Sequence, residues 1–120
     1  RLAMGITYRA GQVSGSRDAK IAVNFLVDSG ATYSLLPEGV WKAVGLKSER
    51  LQSFSLADGT QIERAISEAY FKLPQGESHS PVILGENGDE ALLGAVTLEN
   101  LRFVLNPFDR MLHPMRMLLR

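Results

Sequence analysis

The stretch that decides the fold is NFLVDSGATYSLLP, residues 24–37. An apolar segment runs directly into Asp28, and Ser29, Gly30 and Ala31 follow it. Because Asp, Ser and Gly are ordinary turn formers, one interpretation is a plain turn in which the carboxylate bonds to nearby backbone amides. The other is that a strand delivers a carboxylate to a sheltered site, where glycine lets another backbone approach closely. The tripeptide alone favours the plain turn, so the decision depends on the rest of the chain.

Length and composition limit what the rest of the chain can be. With 120 residues, the chain is predicted to form one domain over residues 1–120, with one core. Its 13 Lys and Arg balance 13 Asp and Glu, so we expect no nucleic-acid or anionic-membrane partner. The absence of cysteine excludes disulfides, zinc–thiolate sites and thiol nucleophiles, and it fits a reducing compartment such as the cytoplasm. The sequence has no apolar run of membrane-spanning length and no signal-like start.

Short segments rich in β-branched and aromatic residues predict a mainly β structure. LAMGITYR (2–9) and KIAVNFLVD (20–28) are predicted to pair as a hairpin across a Gly- and Ser-rich loop, residues 10–19. PEGVWKAVGL (37–46) starts with proline and carries apolar residues at helical spacing, which predicts a short helix. The dipeptide Asp58-Gly59 lies between apolar flanks and supplies the positive φ angles of a tight hairpin turn.

The segment TQIERAISEAYFKL, residues 60–73, supports two predictions. Its apolar residues recur at helical spacing, so periodicity alone favours an amphipathic helix. The preceding hairpin turn favours a strand instead. Beyond it, the sequence predicts a polar loop, a strand, a turn, an apolar run, a helical turn, a strand and a turn over residues 74–80, 81–84, 85–90, 91–96, 97–101, 102–105 and 106–110. The proline in MLHPMRMLLR (111–120) is expected to interrupt regular strand pairing.

The chain also contains an internal echo. Val27–Ala31 and Leu92–Ala95 each bring an apolar segment to Gly-Ala, and a predicted helix follows each of them within several residues. Two such units are expected to pack as a pseudo-symmetric pair.

An ordered set of motifs resembles a known family. The hydrophobic-hydrophobic-Asp-Ser-Gly-Ala sequence at Leu26–Ala31 resembles the active-site signature of the retroviral-type (retropepsin-like) aspartic proteases. Leu92, Leu93 and Gly94 are similar to that family's second hydrophobic-hydrophobic-Gly loop, and the Asp58-Gly59 hairpin stands where its members carry a flap. The resemblance covers about residues 19–111. The LLP at residues 35–37, followed by a predicted helix, is similar to the small prokaryotic single-lobe branch and to the protease-like domain of ubiquitin-shuttle proteins. It implies an all-β, retropepsin-like closed β-barrel lobe with one or two short helices, active as a two-fold homodimer.

The resemblance also implies a function, aspartic endopeptidase activity on extended polypeptides. Asp28 would be catalytic, with the carboxylates of two subunits activating one water and no metal or other cofactor taking part. Ser29, in place of the family's more usual threonine, is expected to fix the opposite active-site loop across the interface. Gly30 is expected to leave room for that approach and to offer its carbonyl to substrate. Ala31 stands where pepsin-like enzymes often have a hydroxyl residue, which implies a pH optimum closer to neutral than pepsin's.

The flap predicted by the resemblance consists of Leu56, Ala57, Asp58, Gly59 and Thr60, which are therefore the candidates for substrate binding. Without the Asp28 motif, the same residues would be interpreted as a plain surface hairpin. Their role is thus a prediction that depends on the active-site assignment.

Other functions receive less support from the sequence. A dimeric peptide-binding or scaffold module that keeps the protease fold but cleaves weakly or not at all is the main alternative, and a β-rich domain carrying the motif by chance is a third. His79 and His113 do not stand at metal-ligand spacing, and we expect them to be solvated or structural. The acidic GENGDE (85–90) does not match the EF-hand spacing and is predicted to be a surface turn.

Overall fold

The computed structural model describes residues 7–15, 19–106 and 108–115. The described strands and helices follow one another as β1 (Thr7–Ser14), β2 (Lys20–Val27), β3 (Ser34–Leu36), α1 (Glu38–Ala43), β4 (Arg50–Ser55), β5 (Gln61–Leu73), β6 (Gly76–Leu84), β7 (Leu92–Leu93), α2 (Ala95–Asn100), β8 (Phe103–Leu105) and β9 (Leu112–Pro114). The sequence-based predictions for residues 1–6, 16–18, 107 and 116–120 lie outside the described residues.

Seven of these strands form one sheet, which closes on itself. Its order is β1-β2-β7-β3-β6-β5-β4, and β1 pairs with β5 as well. Through that extra pairing, Gln12–Ser14 against Tyr70–Lys72, all the strands of the sheet except β4 form a ring. The strands β8 and β9 pair with each other in a separate small sheet. The predicted all-β, closed-barrel lobe with short helices is confirmed.

The inward faces of the barrel strands supply the core. Phe25 and Phe71 are fully buried, and their ring centroids lie 5.7 Å apart. Leu36, Val82 and Leu93, each 0% exposed, come from three further strands. Burying such a side chain stabilises the fold by roughly 1.5–3 kcal/mol. The core therefore lies directly beneath the ends of β2, β3 and β7, where the Asp28 motif begins.

Residues 62–73 lie in a strand, so the helical interpretation of their periodicity is wrong and the strand prediction is confirmed. β5 pairs first with β4 and then with β6, and it pairs with β1 near its end. Its buried side chains alternate over Ala69–Leu73, but Ile66 and Ser67 are both buried, where the strand passes from β4 to the barrel. This change of face gave the apolar residues a spacing close to that of a helix. The pairing with three strands satisfies the backbone of β5, which decides its conformation.

Two predicted loops are shorter in the structure. β6 begins at Gly76, opposite Leu73, so most of the predicted loop 74–80 is strand. Likewise β1 continues to Ser14, into the predicted loop 10–19. Both predictions failed because these strand segments have one face towards solvent and therefore carry polar residues.

The remaining elements follow the sequence closely. α1 lies within the predicted helix, and α2 begins at Ala95, somewhat earlier than the predicted helical turn. The internal echo corresponds to direct pairing, since β2 runs parallel to β7 with Leu26 opposite Leu92. Pro114 does not prevent pairing, because it is the last residue of β9, where a missing N–H disturbs the ladder least. None of the described helices has the length and apolar character needed to cross a bilayer.

Candidate active site

Asp28 follows immediately after β2, at the end of a buried strand. Val27 is opposite Thr7 of β1 on one side and opposite Leu93 of β7 on the other. The Asp28 N–H donates to the Leu93 carbonyl at 3.0 Å, so the backbone is still held at the residue that carries the carboxyl group. Both Val27 and Leu93 are buried, whereas Asp28 is exposed. The strand therefore presents a carboxylate to solvent from a fixed backbone position.

The loop from Asp28 to Ala31 is a tight turn closed by its own hydrogen bonds. The Ala31 N–H donates to the Asp28 carbonyl at 3.1 Å, and the Gly30 N–H donates to Asp28 Oδ1 at 3.0 Å. A Cβ at position 30 would lie only 3.2 Å from the same Oδ1, which is tighter than an ordinary contact. Ser29 and Gly30 are exposed and Ala31 is half-buried. The candidate loop residues thus stand together, with Asp28 Oδ1 turned back towards the loop backbone.

The continuation of this loop rests on the start of α2. The Ala31 carbonyl accepts from the Ala95 N–H at 2.8 Å, and the Thr32 carbonyl accepts from the Val96 N–H at 3.0 Å. These bonds satisfy backbone groups on both sides, since the first N–H groups of a helix have no partner within the helix. The second half of the internal echo therefore supports the first half directly.

Gly94 makes this close contact possible. A Cβ at this position would lie 2.6 Å from both the carbonyl carbon and the carbonyl oxygen of Tyr33. Gly94 therefore packs directly against the loop that follows Asp28, where any side chain would collide with the backbone.

The predicted flap is the turn between β4 and β5. The Leu56 N–H donates to the Thr60 carbonyl at 2.8 Å, and the Gly59 N–H donates to the Leu56 carbonyl at 2.9 Å. Gly59 has a φ of 89°, so this is a turn of three central residues ending in a glycine bulge, wider than the predicted tight turn. All five predicted flap residues, Ala57 included, are exposed. The glycine supplies the positive φ as predicted.

Asp58 fixes the shape of this turn. Its Oδ1 accepts from the Thr60 N–H at 2.9 Å. The pKa of Asp58 lies below its usual value. The main cause is hydrogen bonding with the Thr60 side chain, and the second is hydrogen bonding with the Thr60 backbone. A lowered folded-state pKa means that this carboxylate supports the turn above its ordinary pKa and loses that effect as the pH falls through the lowered one.

The structure brings the flap and the Asp28 loop together through a residue that the sequence did not single out. The ring of Tyr33 meets the ring of Phe54 in β4 edge to face, with centroids 5.9 Å apart and planes at 86°. Within the described residues, no hydrogen bond joins the flap turn 56–60 to Asp28 itself. The only sequence signal for Tyr33 is an aromatic residue five positions after the aspartate, in an otherwise small and polar loop.

Residues 13–100 match the family model described as "gag-polyprotein putative aspartyl protease". The chain belongs to the gag-polyprotein aspartyl protease family. The resemblance inferred from Leu26–Ala31 is thereby confirmed. No curated protein sequence shows a significant match to the chain.

Solved retroviral proteases share the fold of this gag-polyprotein aspartyl protease family member. The EIAV protease, solved as a complex with the inhibitor HBY-793, is 15% identical, with a TM-score of 0.58 over 80% of this chain and 88% of its own. The simian foamy virus (mac) protease, solved in solution, is 16% identical, with a TM-score of 0.57 over 78% of this chain and 92% of its own. At this identity, the likeness establishes the fold.

A buried hydroxyl network lies beneath the Asp28 loop of this family member, and the sequence analysis missed it. Ser34 Oγ accepts from the Gly94 N–H at 2.9 Å and bonds to the hydroxyl of Thr97. The Thr97 hydroxyl also bonds to Ser80 Oγ at 2.8 Å. All three hydroxyl residues are buried, at 0–1% exposure. Nothing in the sequence marks these serine and threonine residues as buried, because the same residue types are common in turns and on exposed surfaces.

Replacing Thr97 by valine tests this network. Valine has nearly the same shape, but it removes the hydroxyl that joins Ser34 to Ser80, so both serines lose a partner in a buried site. Ser34 keeps the bond from the Gly94 N–H, and Ser80 keeps a bond to the Pro81 carbonyl. We therefore expect the free energy of unfolding to fall by about 1–3 kcal/mol, since each of the two lost hydrogen bonds contributes about 0.5–1.5 kcal/mol. Urea denaturation measures the change, with Thr32→Val at an exposed position as the control. A loss no larger than the control's would mean that the network contributes nothing to stability.

The other residues considered from the sequence lie away from this loop. His79 is exposed and contacts the ring of Tyr70. His113 is exposed and bonds to Asp109 Oδ2 at 2.8 Å, so both histidines are solvated or structural, as predicted. The predicted acidic turn 85–90 is a surface turn, with residues 86–90 exposed, Gly85 buried and Gly88 at a φ of 92°. Over the described residues, no group of three or more His, Asp or Glu side chains is arranged to hold a metal ion.

Proposed function

We propose that the chain is an aspartic endopeptidase that works as a homodimer and hydrolyses peptide bonds in extended polypeptides. The observation that carries the proposal is the placement of Asp28. Its carboxylate is exposed at the end of a buried strand, while its backbone is held by β7 and by its own turn. A carboxylate that acts in catalysis has to be both reachable and fixed in position, and this one meets both conditions.

The proposal requires a second chain, because an aspartic protease needs two carboxyl groups, one as general base for the water and one as general acid for the peptide carbonyl. The neighbouring loop on β7 ends in Leu93 and Gly94 and contributes no acid at the equivalent position. A second copy related by a two-fold axis supplies its own Asp28, and two-fold pairs are the commonest form of oligomer.

Two carboxyl groups about 3 Å apart repel each other when both are charged, so we expect the pair of Asp28 side chains to share one proton. The ionised carboxylate takes a proton from the bound water as the water oxygen attacks the peptide carbonyl carbon. The protonated partner gives its proton to the carbonyl oxygen. When the resulting tetrahedral diol breaks down, the C–N bond breaks and the carboxyl group that took the water proton gives it to the leaving amine nitrogen. The other carboxylate takes a proton from one diol hydroxyl as the new carboxyl group forms, which restores the pair with one shared proton. No covalent enzyme intermediate is needed.

The neighbours of Asp28 take supporting roles. Ser29 is exposed beside it, where its hydroxyl can reach the active-site loop of the partner. Gly30 presents a carbonyl to the substrate backbone without a side chain in the way. Ala31 brings no hydroxyl to the ionised pair, which supports an optimum closer to neutral pH than pepsin's.

The flap, residues 56–60, and the strands on either side of it suit an extended substrate. Main-chain hydrogen bonds from an extended peptide are the usual way in which such clefts bind polypeptides, and alternate side chains then enter pockets. Leu56, at 45% exposure, is an apolar side chain at the flap turn available for such a contact.

Cleavage of an unstructured protein by wild-type and Asp28→Asn chains tests the proposal. We expect discrete fragments from the wild type and none from the variant. Glu68→Gln makes the same acid-to-amide change at an exposed position of β5 and is expected to cleave like the wild type. Identical fragments from the wild type and the Asp28 variant, or none from either while both bind peptide, would favour the scaffold function instead.

A further inference from the structure

The hairpin that carries the flap has little support from the barrel. Among the described strands, β4 pairs with β5 alone, and Gln61–Ala65 of β5 pair with β4 alone. Beyond Ile66, where β6 joins, the hairpin is therefore a two-stranded ribbon. Such ribbons are marginally stable in water without further contacts. Something outside the ribbon has to define its position over the active-site loop.

Tyr33 makes contacts that can do so. Its ring packs edge to face against Phe54, and its hydroxyl lies 3.3 Å from Gln52 Nε2, which donates to it. Phe54 and Gln52 are two residues apart in β4 and so lie on the same face of the strand. Both are half-buried, whereas their neighbours Leu51 and Ser53 are exposed. The face of β4 turned towards Tyr33 is thus the covered one.

The other end of Tyr33 is fixed to the active-site loop. Its backbone carbonyl packs directly on Gly94, at a distance that leaves no room for a Cβ there. The preceding residue, Thr32, is bonded to the start of α2. A displacement of Tyr33 relative to Asp28 therefore requires the loop to leave its support. Tyr33 therefore connects a loop that is held by α2 and Gly94 to the two-stranded part of the flap hairpin, which has the least support.

We infer that Tyr33 is a positioning residue. Through its contacts with Phe54 and Gln52, it holds the flap hairpin in the position over Asp28 in which the flap can bind substrate. This role rests on the proposed protease function, because it assigns the contact to substrate capture. The contact itself, however, exists in a single chain without substrate, so the flap can be examined separately from catalysis.

Loss of the contact has a defined signature. Tyr33→Ala removes both the aromatic pair and the hydrogen bond, so it is expected to shift the flap equilibrium by about tenfold or more. We expect the amide protons of Leu56 and Gly59 to exchange about tenfold faster, since both are bonded inside the flap turn. The amide of Asp28, bonded to β7, is expected to exchange at the wild-type rate. In cleavage assays, KM rises about tenfold with little change in kcat, because capture of substrate is lost and the reacting groups are not.

The experiment is hydrogen exchange measured residue by residue by NMR, in the Asp28→Asn background and without substrate. This background removes turnover, so a negative cleavage assay, which would refute the proposed function, does not affect the result for the flap. Tyr33→Phe removes only the hydroxyl group and is expected to restore most of the protection lost in Tyr33→Ala. Tyr70→Phe is the matched control, because it removes a tyrosine hydroxyl that bonds to Glu77 on the barrel. It is expected to leave exchange in the flap unchanged.

A double substitution gives a second measure. Phe54→Ala alone should accelerate flap exchange less than Tyr33→Ala does, because the bond between Gln52 and the Tyr33 hydroxyl remains. The two substitutions together should accelerate it no more than Tyr33→Ala alone, since Tyr33→Ala already removes both contacts. Two results would overturn the inference. One is wild-type exchange at Leu56 and Gly59 in Tyr33→Ala. The other is a uniform acceleration that includes Asp28, which would show that Tyr33 supports the whole fold and does not position the flap.

Discussion

In mixtures of wild-type and Asp28→Asn chains, we expect proteolytic activity to fall as the square of the wild-type fraction. At equal amounts, about one quarter of the activity remains when the chains pair at random in a two-fold dimer. The physical reason is that each catalytic unit needs one carboxylate from each chain, so a mixed dimer lacks either its acid or its base. A protein with a complete site in each chain would instead keep about half of the activity under the same mixing.

The size of the effect in the pure variant is also defined. A positioned acid–base group contributes about 10²–10⁴-fold to the rate, and Asp28→Asn removes both such groups from each dimer. We therefore expect the rate to fall by about 10⁴-fold, the upper end of that range. Asparagine keeps an oxygen that can still accept the Gly30 N–H, so the loop is expected to fold normally. Unchanged urea denaturation of the variant verifies this.

The mixing experiment needs its own control. The two kinds of chain exchange partners when they are unfolded and refolded together. Glu68→Gln chains that are treated in this way with the wild type, in the same proportions, are expected to leave activity unchanged. A linear fall with the Asp28→Asn fraction, after exchange of chains has been verified by mass spectrometry, would contradict catalysis across two chains.

The sequence predicts the part of the fold in which local chemistry and long-range pairing agree. Around Asp28, the sequence predicts an apolar strand, a turn of small residues and a second apolar-Gly-Ala segment packed with the first, and β2 and β7 do pair in parallel. The Asp58-Gly59 turn was recognisable because glycine carries the positive φ that the bulge needs. Such signals lie within a few residues of one another along the chain.

What the sequence leaves open depends on contacts between distant residues. The conformation of β5 is decided by pairing with β4, β6 and β1, which no local periodicity reveals. The same holds for Ser34, Ser80 and Thr97, whose hydroxyl groups meet only because the barrel brings three elements together. Tyr33 belongs to this group too, since its partner Phe54 is 21 positions away along the chain. The predicted catalytic loop was visible in sequence, whereas its support and its link to the flap were not.

Replacing Gly94 by alanine is expected to damage both stability and catalysis. The glycine has φ −98° and ψ −179°, which other residues adopt readily, so its backbone conformation does not require glycine. The space does, because an added Cβ would lie 2.6 Å from the carbonyl carbon and oxygen of Tyr33 and 3.0 Å from the carbonyl oxygen of Ala31. These are backbone atoms of a loop whose Ala31 and Thr32 carbonyls are hydrogen-bonded to α2, so they cannot turn aside as a side-chain end can.

The expected loss of stability is about 3 kcal/mol, at the upper end of the usual cost of overpacking a well-packed site. The control is Gly39→Ala in α1, where an added Cβ would meet no atom within 4 Å. That substitution is expected to stabilise the protein by about 0.5–1 kcal/mol, since alanine is favoured over glycine within a helix. Urea denaturation of the two variants separates the steric effect at Gly94 from the general effect of adding a methyl group.

In Gly94→Ala, we expect kcat to fall even in the fraction of protein that stays folded, because relief of the overlap pushes the Ala31–Tyr33 backbone away from β7. A displacement of about 1 Å at a catalytic group costs about 10²-fold in rate, so kcat is expected to fall by that factor while the fold persists. The measurement is kcat at a temperature where urea denaturation shows both variants to be fully folded. Wild-type kcat in a folded Gly94→Ala protein would mean that the Ala31–Tyr33 backbone can shift without displacing Asp28. The support from β7 and α2 would then not set the position of the carboxylate.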